Sequence, residues 1–85
     1  RCSMNTVSFK VPIIDNVKTG QNIKELRKAK GMSVRELKDA LGLSSSQAIY
    51  KWQWGDALPD IDNLLALSII FEKDIKDILI TQDVF

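Results

Sequence analysis

Residues 33–55 read SVRELKDALGLSSSQAIYKWQWG, two short helical patterns on either side of a glycine. Ser33 and Glu36 are spaced as a capping box, in which the serine hydroxyl takes an amide of the first turn and the glutamate reaches back. Behind them Val34, Leu37, Ala40 and Leu41 fall on one helical face, and Gly42 ends that helix after about two turns. Leu43 re-enters the core, and Ser44 or Ser45 caps a third helix that Gly55 and Pro59 close. Two short helices joined by so tight a turn make a rigid corner.

Outward from this corner the helical pattern continues. Ile23, Leu26 and Ala29–Lys30 mark a first helix starting from Gly20, with Gly31 as its left-handed stop. Asp60 or Asp62 caps a fourth helix carrying Ile61, Leu64, Leu65, Leu67 and Ile70–Phe71. Asp74 opens a short fifth with Ile75, Ile78 and Leu79. Residues 20–80 contain neither a strand pair nor an internal repeat, so the expected class is all-α. Residues 1–19 differ: Val7, Phe9, Val11 and Ile13 alternate with polar residues or Pro12, the period of an extended arm. Arg1, Cys2 and Ser3 precede Met4, which can serve as a native start, and carry no part of this reading. The expected organisation is an arm over 1–19, extended or disordered, a helical domain over 20–80 and a tail over 81–85.

Composition removes other classes. Eighty-five residues, 45% hydrophobic and 27% charged, suit one small folded domain without two lobes around a cleft. Histidine is absent and Cys2 is the single cysteine, which excludes an intrachain disulfide and zinc sites built on thiolate pairs. No enzyme, cofactor or metal centre is expected. The longest apolar run, Leu64 to Phe71, is broken by Ser68 and too short to cross a bilayer. Without a visible secretory signal, the expected location is the cytoplasm. The formal net charge of +1 hides a division. Residues 1–55 hold ten basic against four acidic residues, and residues 56–85 hold two against seven. Such polarity suits one surface that meets a polyanion, although two ordinary solvated surfaces would give the same numbers.

The third helix is informative on its own. At the roughly 100° step of an α-helix, Ile49, Trp52, Ala48 and Ser45 share an apolar or small face. Gln47, Tyr50, Lys51 and Trp54 lie opposite, with Ser46 beside them. Gln47 can present a paired donor and acceptor to an adenine edge, and Ser46 and Tyr50 can bond bases or phosphates. Lys51 adds charge. Trp52 is expected in the core. Trp54 is left with three roles: stacking on a sugar, covering the Asp56–Leu58 loop, or joining a protein interface.

The run Ile23-Lys24-Glu25-Leu26-Arg27-Lys28-Ala29-Lys30-Gly31-Met32-Ser33, with Leu37, Leu41-Gly42-Leu43-Ser44, Ala48, Gly55, Pro59, Asn63-Leu64-Leu65-Ala66-Leu67 and Ile78-Leu79, resembles the lambda-repressor or Xre-type helix-turn-helix family over residues 22–80. Gln47 through Gly55 is similar to a subgroup of Gram-positive bacteria and their mobile elements. Val34 stands where many relatives carry glutamine, and Lys38 where a small residue is usual. The resemblance implies a five-helix DNA-binding domain, with an extended N-terminal arm in this chain, whose third helix enters the major groove. It implies a transcriptional regulator, a repressor first, acting as a homodimer on double-stranded DNA. Base contacts are then expected from Ser46, Gln47 and Tyr50. Phosphate contacts are expected from Lys24, Arg27, Lys28, Arg35, Lys38, Ser44, Ser45 and Lys51, with Lys30 nearby. The alternative keeps the fold as a protein-interaction module, an antitoxin, anti-repressor or phage-type inhibitor. It would dock a protein partner through Trp54, Leu58 and the arm.

Overall fold

The computed structural model describes residues 13–82, which form five helices: α1 Asn16–Ala29, α2 Val34–Leu41, α3 Gln47–Trp54, α4 Ile61–Phe71 and α5 Ile75–Ile78. The alternating segment up to Pro12 lies outside the described residues, as do residues 83–85.

The capping box of α2 forms as its spacing predicts. Ser33 Oγ accepts from the Glu36 amide at 3.0 Å and Glu36 Oε1 accepts from the Ser33 amide at 2.8 Å. At the other end Gly42 turns left-handed, φ 72°, and the Leu43 amide donates to the Lys38 carbonyl at 3.1 Å. A residue with a Cβ would be strained in that conformation. Asp60 rather than Asp62 caps α4, taking the Asn63 amide at 2.9 Å. The cap of α3 differs from expectation. It is Ser46, with helical dihedrals and no side-chain cap bond, while Ser44 and Ser45 precede it in the turn. Three consecutive serines have equal capping chemistry, so the register there is set by the burial of Ile49 and Trp52.

The first helix begins at Asn16, not Gly20, with Asp15 accepting from the Lys18 amide at 3.0 Å. Residues 16–19, expected in the arm, are therefore helical. Glycine's poor helix propensity made Gly20 look like a boundary. Its place is the buried heart of α1, where a Cβ would run into the Trp52 carbonyl oxygen and come within 2.9 Å of its carbon. The missing side chain lets α1 and α3 approach backbone to backbone. In an isolated helix Gly20→Ala would stabilise by about 1 kcal/mol. Here overpacking against a fixed backbone is expected to reverse the sign and destabilise by about 1–3 kcal/mol, read by thermal melting.

Ile23, Leu37, Ile49, Trp52, Leu64, Leu67, Phe71 and Ile78 form the core, so every helix contributes. Of the face expected on α2, Leu37 is buried, Val34 and Leu41 are half-buried, and Ala40 is exposed. The two ends of the described chain are clasped together. Ile14 and Thr81 form an antiparallel bridge, and the Asp15 amide donates to the Ile80 carbonyl at 2.7 Å. Buried Thr19 Oγ accepts from the Ile80 amide at 2.9 Å, and Asn22 Nδ2 donates to the carbonyls of Asp77 and Ile78 at 2.8 and 3.0 Å. Thr81 and Gln82, expected in a tail, thus pair with residues 13–14.

Candidate nucleic-acid interface

Packing against α1 holds α3 at the surface by one face only. Ile49 is fully buried and Trp52 is 4% exposed, while Gln47, Tyr50, Lys51 and Trp54 are exposed on the opposite side. The two tryptophans, two residues apart, separate as the helical step predicts. Trp54 is 65% exposed. Its ring stacks on Tyr50 one turn earlier, centroids 5.9 Å apart and planes 25° from parallel. Such a pair is worth about 0.5–1.5 kcal/mol beyond simple burial, so the two rings hold each other's rotamers. Together with Gln47 and Lys51 they line a mostly apolar cleft of about 170 Å³. Ser46 is half-buried at the N-terminus of α3, and Ser44 and Ser45 are exposed just before it.

The expected phosphate-binding cations divide into three groups. Lys24 and Lys28 on α1, Arg35 on α2 and Lys51 on α3 are exposed. Lys38 is half-buried and its ammonium lies 3.3 Å from the Asp39 carboxylate, an ion pair of little stabilising value at a surface. Arg27 is a correction. It is 8% exposed, and its guanidinium is committed to the fold. Nη1 donates to the Met32 carbonyl at 2.7 Å and Nε donates to Gln53 Oε1 at 3.2 Å. Burial of a charge requires such partners. They tie the end of α1 to the following turn and to the inner side of α3. Gln53, absent from the expected site, thereby links the inner side of α3 to α1. The signal was in the spacing: Thr19, Ile23 and Arg27 recur every four residues, and all three are buried.

Lys30 is also engaged elsewhere, 2.8 Å from Glu72 Oε2. That hydrogen bond and the Lys30 charge hold the Glu72 carboxyl below the usual carboxylate range. The pair's contribution is therefore present above the ordinary carboxylate pKa and lost as pH falls through the lowered one. A larger open depression, about 340 Å³ between Leu26, Ala29, Lys30, Phe71, Glu72 and Lys73, includes no residue of α3.

On α4, Ile61, Leu65 and Ile69 are exposed at four-residue spacing, with Leu58 also exposed just before the helix. Leu64 and Leu67 on the same helix are buried. The helix is apolar on nearly every side, so periodicity alone does not separate its inner face from its outer one. Among the described residues no group of three or more histidine, cysteine, aspartate or glutamate side chains could hold a metal ion. Nor is any described helix long and apolar enough to cross a membrane.

Comparison with known proteins places this geometry. A family model described as helix-turn-helix matches residues 23–78. The crystal structure of the restriction-modification controller protein C.AhdI from Aeromonas hydrophila is similar at 30% identity, covering 75% of this chain and 96% of that one, with a TM-score of 0.67. SinR, the master regulator for biofilm formation, whose crystal structure is in complex with DNA, is similar at 26% identity over 71% of this chain and 95% of that one, TM-score 0.64. The S. venezulae BldD DNA-binding domain shares the fold at 15% identity, with coverage of 78% and 97% and a TM-score of 0.66. Among curated proteins none matches the chain. The match over residues 23–78, with the near-complete overlap on C.AhdI, shows that this chain belongs to the helix-turn-helix family of the lambda-repressor, or Xre, type, a family of regulators rather than enzymes.

Proposed function

We propose that this domain binds double-stranded DNA sequence-specifically as a transcriptional repressor, with α3 in the major groove. The observation that carries the reading is the outward face of α3, where Gln47, Tyr50, Lys51 and Trp54 are exposed together while Ile49 and Trp52 lock the opposite face into the core. Gln47 stands on the first turn, where a helix entering N-terminus first meets base edges. Exposed Lys24, Lys28, Arg35 and Lys51 supply charge from the first three helices, whereas α4 and α5 with their flanking loops are acidic. The DNA in the SinR structure supports the same reading. Repression needs no chemistry: an occupied operator excludes polymerase.

Selection from random duplexes followed by a salt titration tests this. Affinity is expected to fall steeply with salt, because each neutralised phosphate releases counterions. Charge reversal at Lys28 or Arg35 should weaken all sequences alike and reduce the salt slope by about one for each phosphate left without its cation. A salt-independent interaction with duplex DNA contradicts the proposal.

The acting species in this reading is a two-fold homodimer. Ile61, Leu65 and Ile69 support it: the stripe is symmetric about Leu65, so an antiparallel copy would set Ile61 against the partner's Ile69. Sedimentation at several concentrations should show a monomer–dimer equilibrium that Leu65→Glu shifts to monomer. A wild-type chain that stays monomeric on its selected duplex contradicts it.

A further inference from the structure

The outward face of α3 also carries a cleft. Its walls are Gln47, Tyr50, Lys51 and Trp54, its surface is mostly apolar, and its volume is about 170 Å³. At that volume the cleft, open on one side, has room for a methyl group and the ring edge that bears it. Stacking on Tyr50 keeps the Trp54 ring beside the cleft, although Trp54 is otherwise exposed. A ligand seated there would cover the apolar faces of both rings.

The major groove offers one apolar group, the 5-methyl of thymine. We propose that this cleft is a thymine-methyl receptor, and that Tyr50 and Trp54 determine specificity at a thymine neighbouring the base that Gln47 reads. The proposal rests on the DNA-binding reading and adds a chemical preference to it. Gln47 at the head of the cleft supplies directional hydrogen bonds. The aromatic walls supply a contact that cytosine, guanine and adenine cannot match, because none carries a methyl in that groove. Lys51, lining the same cleft, provides charge suited to a phosphate neighbour rather than to an apolar protein side chain.

Deoxyuridine in place of thymidine removes the methyl and leaves the pairing and hydrogen-bonding groups unchanged. The experiment takes the sequence selected from a random duplex pool and replaces each thymine in turn with uracil, for the wild-type chain and for Tyr50→Phe, Tyr50→Ala and Trp54→Ala. Wild type is expected to lose about fourfold in affinity at the thymine in the cleft, the value of one buried methyl. Trp54→Ala and Tyr50→Ala should bind the thymine and uracil duplexes equally. Tyr50→Phe, which keeps the ring, should retain the discrimination. Circular dichroism melts establish that each variant is folded. If a site is selected but uracil is tolerated at every position, the methyl receptor is wrong while DNA reading stands. If no duplex sequence is selected, the underlying reading fails and the receptor with it. If Trp54→Ala discriminates as wild type does, the methyl is read elsewhere and the assignment to this cleft is overturned.

Discussion

Trp52→Ala is expected to unfold a large fraction of this domain, and Trp54→Ala to leave its melting temperature nearly where it was. Trp52 is 4% exposed, packs in the core with Ile23, Leu37, Ile49, Leu64, Leu67, Phe71 and Ile78, and presents its carbonyl to Gly20 across the α1–α3 contact. Truncating a buried aromatic to alanine costs about 3–5 kcal/mol through forfeited transfer energy and the cavity left behind. The whole stability of a small domain is about 5–15 kcal/mol. Each kcal/mol moves the melting temperature by about 4–8 °C at this size, so the Trp52 variant should melt more than about 12 °C lower by that scale. Trp54 loses only its stacking on Tyr50, a partly solvated interaction worth about 1 kcal/mol or less. Equal losses at the two positions, followed by circular dichroism, would mean that the face of α3 turned to the core has been misassigned.

Local chemistry was the legible part of this fold. Ser33 with Glu36, Gly42 and the two tryptophans each carry their reading within one or two helical turns, and the structure agrees at all of them. What the sequence hid depends on residues distant along the chain. Gly20 resembles a helix boundary until the Trp52 backbone is seen against it. Arg27 sits in a basic run, and only its register with Ile23 and Thr19 betrays that it faces inward, where Gln53 and the Met32 carbonyl receive it. On α4 the inner Leu64 and Leu67 and the outer Leu65 and Ile69 are chemically alike, so the neighbouring helices decide which are covered. Ser44 and Ser45 offered the cap equally well, and the helix starts after Ser46 instead. The outward face of α3 was legible because its core face is so plainly apolar. The aromatic cleft was not, since it depends on the side-chain rotamers of Tyr50 and Trp54.

The second large effect is expected at Gln47, and it is one of specificity. A glutamine amide can bond an adenine edge in two places, which is worth about 1–3 kcal/mol of discrimination against a wrong base. Gln47 is exposed on the first turn of α3, whereas Gln53 on the same helix accepts from Arg27. Truncation to alanine removes nothing from the core, so stability should be unchanged. Affinity for the preferred site should fall about 5- to 150-fold by that estimate, while binding to unrelated duplexes, which rests on phosphates, stays nearly constant. Lys51→Ala should behave oppositely, because a phosphate contact is common to all sequences: both affinities fall together and their ratio is kept.

The most direct measurement is therefore a pair of titrations at one fixed salt concentration, on the selected duplex and on a scrambled one, for wild type, Gln47→Ala and Lys51→Ala. Base readout by α3 predicts that the ratio of the two affinities collapses toward one in Gln47→Ala and is preserved in Lys51→Ala. A Gln47→Ala chain that discriminates between the two duplexes as well as wild type would contradict it.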